Sequence, residues 1–177
     1  MSAETDTQSP LGALLLQHRV EQFYYAEARA IDERDFTAWL GLFTDDTRYL
    51  IPIHRNTLDK EFTNALGETG LAHFDDGKEI LARRVMRMAS GRAWTEDPPS
   101  IQRHLITNVQ VKSLERNEIE AHSYFQAYRY RMDREVEVFT GARVDVLRIA
   151  GDSFLIASRT VYLDHTTVLG NNLNLFF

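Results

Sequence analysis

The chain has 177 residues, of which 44% are hydrophobic and 26% are charged, and its formal net charge is −6. These values predict one globular domain over 1–177 that can form a core without disulfides or a structural metal. The negative charge disfavours nucleic-acid binding, because phosphate contacts need a basic surface. No apolar run approaches the roughly 20 residues of a membrane span, and the acidic start of the chain does not resemble a signal peptide. We therefore expect a cytoplasmic protein that binds no membrane.

The sequence contains no cysteine and six histidines. Without cysteine, the chain cannot hold a thiolate zinc site or a thiolate-ligated iron–sulfur cluster. The histidines lack the spacings of zinc fingers and of HExxH sites. His104 and His122 fall on predicted neighbouring strands, roughly 23 Å apart at about 3.3 Å per residue, so both are interpreted as structural. We expect neither a metal nor a cofactor in this chain.

The first half of the chain is predicted to be mainly helical. Residues 1 to about 10 are polar and without pattern, which indicates a loose tail. From Leu14, apolar residues at three- and four-residue steps predict a helix that ends near Asp32. Asp35 is expected to cap a short second helix, and residues 44–46 are expected to break that helix.

The next segments are a strand, a loop and a helix. Residues 47–53 are rich in β-branched and aromatic side chains and predict a strand, with Pro52 at its end or at a sheet edge. Residues 54–75 have weak periodicity and predict a long loop that could contain a short strand. Asp76 and Glu79 have the spacing of a capping box. The helix that follows is expected to bury Ile80, Leu81, Val85 and Met88.

The segment 94–104, WTEDPPSIQRH, separates helical spacing from strand spacing. Its two successive prolines can continue neither a helix nor a central strand, so a stiff hinge is predicted. Four strands are predicted after it, at about 102–114, 119–131, 135–149 and 154–165.

The third of these strands alternates most clearly. The alternation predicts a buried face of Val136, Val138, Thr140, Ala142, Val144 and Val146, and an opposite face of Glu137, Arg143 and Asp145. Gly141 suggests a bulge. The apolar end, residues 173–177, is expected to pack against the domain.

Helices followed by a curled antiparallel meander predict an α+β fold. The order of the elements resembles the NTF2-like (cystatin-like) fold, a cone whose helices pack in a strongly curved, mainly antiparallel sheet.

Two sites could support acid–base chemistry. Glu27 falls within the apolar stripe of the first helix, where a buried carboxylate is either neutral or paired. Pairing with an arginine is the favoured interpretation. His73 and Asp75 precede a predicted helix and could form a dyad that faces a cavity. Plain capping of that helix by carboxylates is favoured here.

Two surface groups could bind a partner. Arg83, Arg84 and Arg87 form a basic cluster on the predicted third helix, which is interpreted first as a solvated face and second as an intersubunit ion-pair face. Tyr124, Tyr128 and Tyr130 share one strand face with polar residues, a mixture typical of protein interfaces. A subunit interface and the wall of a wet cavity are equally favoured for the tyrosines.

Several separated motifs identify a family. They are His73-Phe74-Asp75-Asp76, WTEDPPSIQRHLITNV, GARVDVLR from Gly141, and GNNLNLFF from Gly170. With FYYAEARAIDERDFTAWLGL from Phe23, they resemble the small (beta) subunits of bacterial aromatic-ring-hydroxylating dioxygenases. The resemblance spans about Val20 to Phe177 and is nearest to the biphenyl, toluene and polycyclic-hydrocarbon branch.

The resemblance implies an NTF2-like fold and a hexamer of three large and three small subunits (alpha3beta3), in which the chain would contact large subunits and other small subunits. The large subunit would carry a Rieske [2Fe–2S] cluster and a mononuclear Fe(II), with electrons from NADH through a reductase. The assembly would cis-dihydroxylate an aromatic hydrocarbon, and the pocket that selects the substrate would belong to the large subunit. The family gives this chain no catalytic residue. Its role would be structural, with a candidate subunit interface at Tyr124, Tyr128, Tyr130, Phe176 and Phe177.

Two alternatives remain open. One is a stand-alone NTF2-like dehydratase or isomerase that uses His73 with Asp75, or Glu27. The other is a ligand-binding module without catalysis.

Overall fold

The computed structural model describes residues 9–53, 72–89, 100–114, 117–131, 135–164 and 175–177. In this part of the chain the helices are α1 (Pro10–Asp32), α2 (Phe36–Gly41) and α3 (Lys78–Ala89). The strands are β1 (Phe43–Pro52), β2 (Ala72–Gly77), β3 (Ile101–Ser113), β4 (Glu118–Arg131), β5 (Glu135–Ala150) and β6 (Ser153–Leu163). The predicted α+β class is confirmed, and the last four strands agree with their predicted bounds to within two residues.

The strands form one six-stranded sheet in the order β2-β1-β6-β5-β4-β3. Neighbouring strands are antiparallel except β1 and β6, which are parallel. α1 packs along the edge strand β3, and α2 lies between α1 and α3. The hydrophobic core is enclosed between the helices and one face of the sheet.

The first helix follows its predicted stripe. Ser9 caps it, because the Ser9 Oγ accepts a hydrogen bond from the Gly12 backbone N at 3.0 Å. Its buried face carries Leu16, Val20, Phe23, Tyr24, Glu27, Ala28 and Ile31. The helix ends at Asp32, and Arg34 then adopts a φ of 63°. Asp35 caps α2 as predicted, since its Oδ1 accepts from the Ala38 backbone N at 2.9 Å.

The second helix ends at Gly41, before the predicted break at residues 44–46. These residues belong to β1, which begins at Phe43 beside Ile156 of β6 and so starts earlier than the predicted residue 47. The Thr44 Oγ1 donates to the Ile156 carbonyl at 3.4 Å, and the Ile156 N donates to the Leu42 carbonyl at 2.7 Å. The register of β1 with β6 is irregular between Phe43 and Arg48, and the two aspartates lie within this irregularity. Pro52 is the last residue of the strand, as predicted.

Asp76 does not cap α3, contrary to the predicted capping box. The helix begins at Lys78, and Asp76 lies in β2 opposite Tyr49. Its carboxylate instead pairs with the Arg84 Nε at 2.7 Å. Of the four predicted core residues of α3, Leu81, Val85 and Met88 are buried, whereas Ile80 is exposed.

The predicted faces of β5 are reversed. Val136 and Val138 are exposed, while Arg143 and Asp145 are buried. The burial of Phe139, Gly141 and Leu147 identifies the same inner face. The reason is that the inner charges meet partners from α1 and β6 inside the fold, which sequence alternation cannot reveal.

Gly141 allows the backbone of β6 and the Phe125 ring to approach β5 closely, and it does not form the predicted bulge. The β4–β5 register runs through it without a shift, and the irregularity in β5 lies between Val146 and Leu147. A Cβ added at Gly141 would lie 2.2 Å from the Tyr162 carbonyl oxygen and 3.0 Å from the Phe125 ring. Only glycine fits between β6 and this ring.

We expect Gly141→Ala to lower the free energy of unfolding by about 1–3 kcal/mol or more, because the backbone of β6 would have to move. Gly41→Ala is the matched control, since nothing lies within 4 Å of its added Cβ. The control should be neutral or stabilising by up to about 1 kcal/mol. Urea unfolding of both variants measures the difference. Equal stability of the two variants would contradict the close approach at Gly141.

Several predictions fall outside the described residues. They are the tail over 1–8, the loop over 54–71, the di-proline hinge over 94–99 and the segment 165–174. Within the described ranges, no helix has the length and apolar character needed to cross a membrane.

Candidate functional site

Four charged side chains meet inside the fold, where α1 faces β5 and β6. Glu27 comes from α1, Arg143 and Asp145 come from β5, and Arg159 comes from β6. None of them is more than 2% exposed. Arg143 and Asp145 reach the same place because residues two apart on a strand share a face. These four residues are called the buried charge cluster.

Arg159 joins the two carboxylates of the cluster. It donates to both Glu27 oxygens, with the Nη2–Oε2 distance at 2.9 Å. It also donates to both Asp145 oxygens, from Nε at 2.9 Å and from Nη2 at 2.8 Å. Bidentate pairs of this kind offset the cost of removing the charges from water better than single contacts do.

Neighbouring side chains supply further hydrogen bonds, although the buried Arg143 Nη2 has no partner among the described residues. The Tyr24 hydroxyl donates to the Asp145 Oδ2 at 2.8 Å, and the Trp39 Nε1 donates to the Glu27 Oε1 at 3.2 Å. The Arg143 guanidinium lies 3.4 Å from the Glu27 Oε2 and 4.8 Å from the centre of the Tyr24 ring. The favoured prediction that Glu27 pairs with an arginine is confirmed.

The electrostatics fix the protonation states. Burial alone would raise the pKa of Glu27, but attraction to Arg159 and Arg143 outweighs it and lowers the pKa from 4.5. Burial opposes the charge of Arg159, yet Asp145 and Glu27 raise its pKa well above its usual value. Burial, followed by the Asp145 charge, raises the pKa of Tyr24 well above 10.0. Glu27 is thus ionised near neutral pH and is poorly suited to act as a general acid there.

The end of the chain packs beside the cluster. Leu175, Phe176 and Phe177 are buried, as predicted for the apolar tail. The Phe176 ring stacks on Trp39 with centroids 4.0 Å apart. The Phe177 carbonyl accepts from the Tyr49 hydroxyl at 3.0 Å and from the Arg159 Nη1 at 2.9 Å. Because both rings are buried in the chain's own core, they offer little surface to a partner.

The predicted dyad of His73 and Asp75 lies on the surface. Both side chains are exposed on β2. Asp75 forms a bidentate pair with Arg48, at 2.7 Å and 2.9 Å, which lowers the pKa of the Asp75 carboxyl. A carboxylate held in this way and open to water cannot raise the basicity of a histidine in a dry pocket. The structure thus does not bring the dyad into a cavity.

His104 and His122 are separated, as predicted. His104 is buried, and its Nδ1 lies 2.7 Å from the Asp32 Oδ1 while its Nε2 lies 3.1 Å from the Phe176 carbonyl. It therefore ties α1 and β3 to the end of the chain. His122 is exposed beside Glu120 and lies opposite Gln110. The β3–β4 register is irregular between Thr107 and Gln110, where Asn108 has a φ of 54°.

The arginines of α3 are mostly engaged by their own neighbours. Arg83 pairs with Glu79 at 2.6 Å, and Arg84 pairs with Asp76 and lies 3.7 Å from the centre of the Phe74 ring. This agrees with the solvated face that was the first interpretation. Among the described residues, no group of three histidine or acidic side chains is arranged to hold a metal.

The outer face of β3, β4 and β5 mixes apolar and aromatic side chains with polar ones such as Gln126 and Thr140. The large apolar side chains Ile101, Leu105, Tyr124, Val136 and Val138 are between 41% and 59% exposed there. The register places them side by side, since Ile101, Tyr130 and Val136 are opposite one another, and so are Arg103, Tyr128 and Val138. These residues form the aromatic sheet face. The inner face of β4, with Ile119, Ala121, Ser123, Phe125 and Ala127, is buried as predicted.

Sequence reasoning missed three members of the buried charge cluster. It assigned Arg143 and Asp145 to an exposed face, and it did not single out Arg159. A usable signal was present, because Arg159 is the only basic residue of the otherwise apolar and small-residue run SFLIASRTVYL. A basic residue in such a strand needs a buried acidic partner, and Glu27 in the first helix was one.

Comparison with known proteins shows which family the chain belongs to. The family model described as ring hydroxylating beta subunit matches residues 26–170. The chain is 38% identical over 166 residues to the biphenyl 2,3-dioxygenase subunit beta of Rhodococcus jostii, covering 92% of this chain and 89% of the relative. It is equally 38% identical, over 166 residues and with the same coverage, to a benzene 1,2-dioxygenase subunit beta of Pseudomonas putida.

A solved structure of naphthalene 1,2-dioxygenase has the same fold. Its TM-score is 0.81 at 20% sequence identity, over 93% of this chain and 86% of that chain. The predicted cone of helices in a curved sheet is confirmed by this likeness. The chain belongs to the ring hydroxylating beta subunit family.

Proposed function

We propose that this chain is a structural subunit, without a catalytic group of its own, of a dioxygenase that cis-dihydroxylates an aromatic hydrocarbon. The curated relatives are named for benzene and biphenyl dioxygenases, which supports a substrate of one or two aromatic rings. The chain would hold catalytic large subunits in an alpha3beta3 hexamer in the cytoplasm. The observation that carries the proposal is the aromatic sheet face, which leaves large apolar side chains in water unless a partner covers them.

The redox groups do not fit this chain. A Rieske cluster needs two cysteine ligands, and the sequence has no cysteine. We infer that the large subunit carries the Rieske cluster and the mononuclear iron, and that electrons from NADH reach it through a reductase. Of the acid–base candidates, Glu27 is ionised and paired inside the core, and His73 and Asp75 lie on the surface. These positions favour a scaffold over a stand-alone dehydratase or isomerase.

The proposed interface contains Tyr124, Tyr128 and Tyr130, with the neighbouring Val136 and Val138. Tyr124 is exposed, and Tyr128 and Tyr130 are half-buried. Tyrosines next to aliphatic side chains are a composition typical of interface cores. Phe176 and Phe177 are no longer included, because they pack in the core of this chain.

We expect Tyr124→Glu combined with Val138→Glu to weaken binding to the large subunit by at least about 30-fold, since each variant buries a charge at the contact. The measurement is the dissociation constant of the complex after co-expression of the two subunits. Met86→Glu is the matched control, because Met86 is 63% exposed on α3, away from this face. Unchanged affinity of the double variant, with the isolated chain still folded, would refute the proposed interface.

A further inference from the structure

A groove runs between residues 25–33 of α1 and residues 103–106 of β3, with a volume of about 270 Å³. Ala28 and Ile106 belong to its lining, and both pack against the hydrophobic core. Tyr25 forms part of the wall and is 45% exposed. The groove therefore combines an apolar floor with an aromatic wall and opens to water.

One carboxylate in the groove is already used by the fold. Asp32 accepts from the His104 backbone N at 3.1 Å, and its Oδ1 lies 2.7 Å from the His104 Nδ1. Its side chain is only 7% exposed. Asp32 thus satisfies a backbone donor at the edge of the sheet, and little of its charge faces the groove.

The two arginines of the groove are available to a ligand. The Arg103 side chain is 66% exposed, and its contact with the Asp32 Oδ2 is long, at 3.4 Å. Arg29 is exposed, and it has no ion-pair partner in the part of the chain that the structure describes. Two carboxylates oppose them in the groove: Asp32, which is buried and already accepts from His104, and Glu33, which is exposed. Two guanidinium groups over an apolar floor are suited to bind a carboxylate through paired N–H donors.

The groove continues into the aromatic sheet face. Arg103 is opposite Tyr128 of β4 and lies between Ile101 and Leu105, which are exposed on the same side of β3. A partner that covers this face would therefore bring its next side chains to the groove. The occupant is taken to be the large subunit, since the proposed function has that subunit cover the aromatic sheet face.

We propose that the groove binds an aspartate or glutamate side chain of the large subunit, with an apolar or aromatic neighbour packed on Tyr25 and Ile106. This inference rests on the proposed function. It adds an electrostatic contact, positive on this chain and negative on the large subunit, to the apolar contact at the aromatic sheet face. Arg29 and Arg103 provide the charge, and Tyr25 and Ile106 provide the apolar surface.

The test is the dissociation constant of the complex between the full chain and the large subunit, at about 50 mM and about 500 mM salt. We expect Arg29→Glu combined with Arg103→Glu to weaken binding at least about tenfold at low salt, and to reduce the loss of affinity at high salt. Arg83→Glu is the control, because Arg83 is an equally exposed arginine on α3, and it should change the affinity less than about twofold. If the charge-reversal variant, Arg29→Glu with Arg103→Glu, does not fold, the neutral variant Arg29→Gln with Arg103→Gln is measured in its place.

The outcomes separate the two proposals. Unchanged affinity in the arginine variants, together with a loss of binding in Tyr124→Glu/Val138→Glu, overturns the groove and leaves the proposed function in place. A loss of self-association alone, with binding to the large subunit intact, also overturns the groove as stated. If the parent chain does not bind the large subunit at all, the proposed function itself fails.

Discussion

Arg159→Met is expected to lower the free energy of unfolding by about 3–5 kcal/mol, because it leaves the carboxylates of Glu27 and Asp145 buried without their shared partner. This is a large part of the roughly 5–15 kcal/mol that stabilises a typical domain. Arg83→Met is the matched control. Arg83 pairs with Glu79 at the surface in the i,i+4 arrangement, and such pairs contribute only about 0.3–0.5 kcal/mol. Urea unfolding, followed by circular dichroism, measures both. Equal losses in the two variants would contradict the structural role of the cluster.

The same cluster gives a pH dependence of known sign. The pKa of Glu27 is lowered from 4.5 in the folded chain, so its pairing stabilises the fold fully above that value and less as the pH falls through the lower folded pKa. Glu27→Gln should therefore be less stable than the parent at neutral pH and lose less stability below about pH 4.5. Asp46 and Asp75 also have lowered pKa values, but both remain in the variant. The difference between the two pH profiles thus isolates Glu27.

Phe177→Ala is the second large effect. Its ring lies 5.3 Å from the Phe125 ring and 5.6 Å from the Phe139 ring, measured between centroids. Truncation of a buried phenylalanine costs about 3–5 kcal/mol, while the backbone bonds to Tyr49 and Arg159 can persist. Tyr25→Ala is the control, because Tyr25 is exposed and should change stability by no more than about 0.5 kcal/mol.

Thermal and urea unfolding of the two chains measure this difference. A loss of less than about 1 kcal/mol in Phe177→Ala would show that the end of the chain is not part of the core. A loss near the expected value would show that the Phe177 ring is part of the core of this chain.

The sequence predicted the elements better than the faces. Helical spacing placed α1, and turn residues placed the last four strands, because both signals are local. The prediction assigned the two faces of β5 the wrong way round, because it took the face with valines at alternate positions to be the buried one. Val136 and Val138 lie on the outer face instead. The burial of Arg143 and Asp145 depends on Arg159, which is distant in sequence. No local pattern carries that information.

The family resemblance predicted the biological role, whereas the residues alone left a dyad and a buried acid open. The structure decides between them through exposure. Glu27 is paired and buried, and His73 and Asp75 are on the surface. The groove at Arg29 and Arg103 could not be predicted, because it forms between a helix and a strand about 70 residues apart.

We propose that this chain supports catalysis only through assembly of the complex. Turnover per iron is compared, at equal assembly, between the parent complex and a complex whose small chain carries His73→Ala and Asp75→Ala. We expect the same turnover per iron for both complexes, and no turnover by the isolated small chain. A loss of turnover in the fully assembled variant, or activity of the small chain by itself, would contradict it.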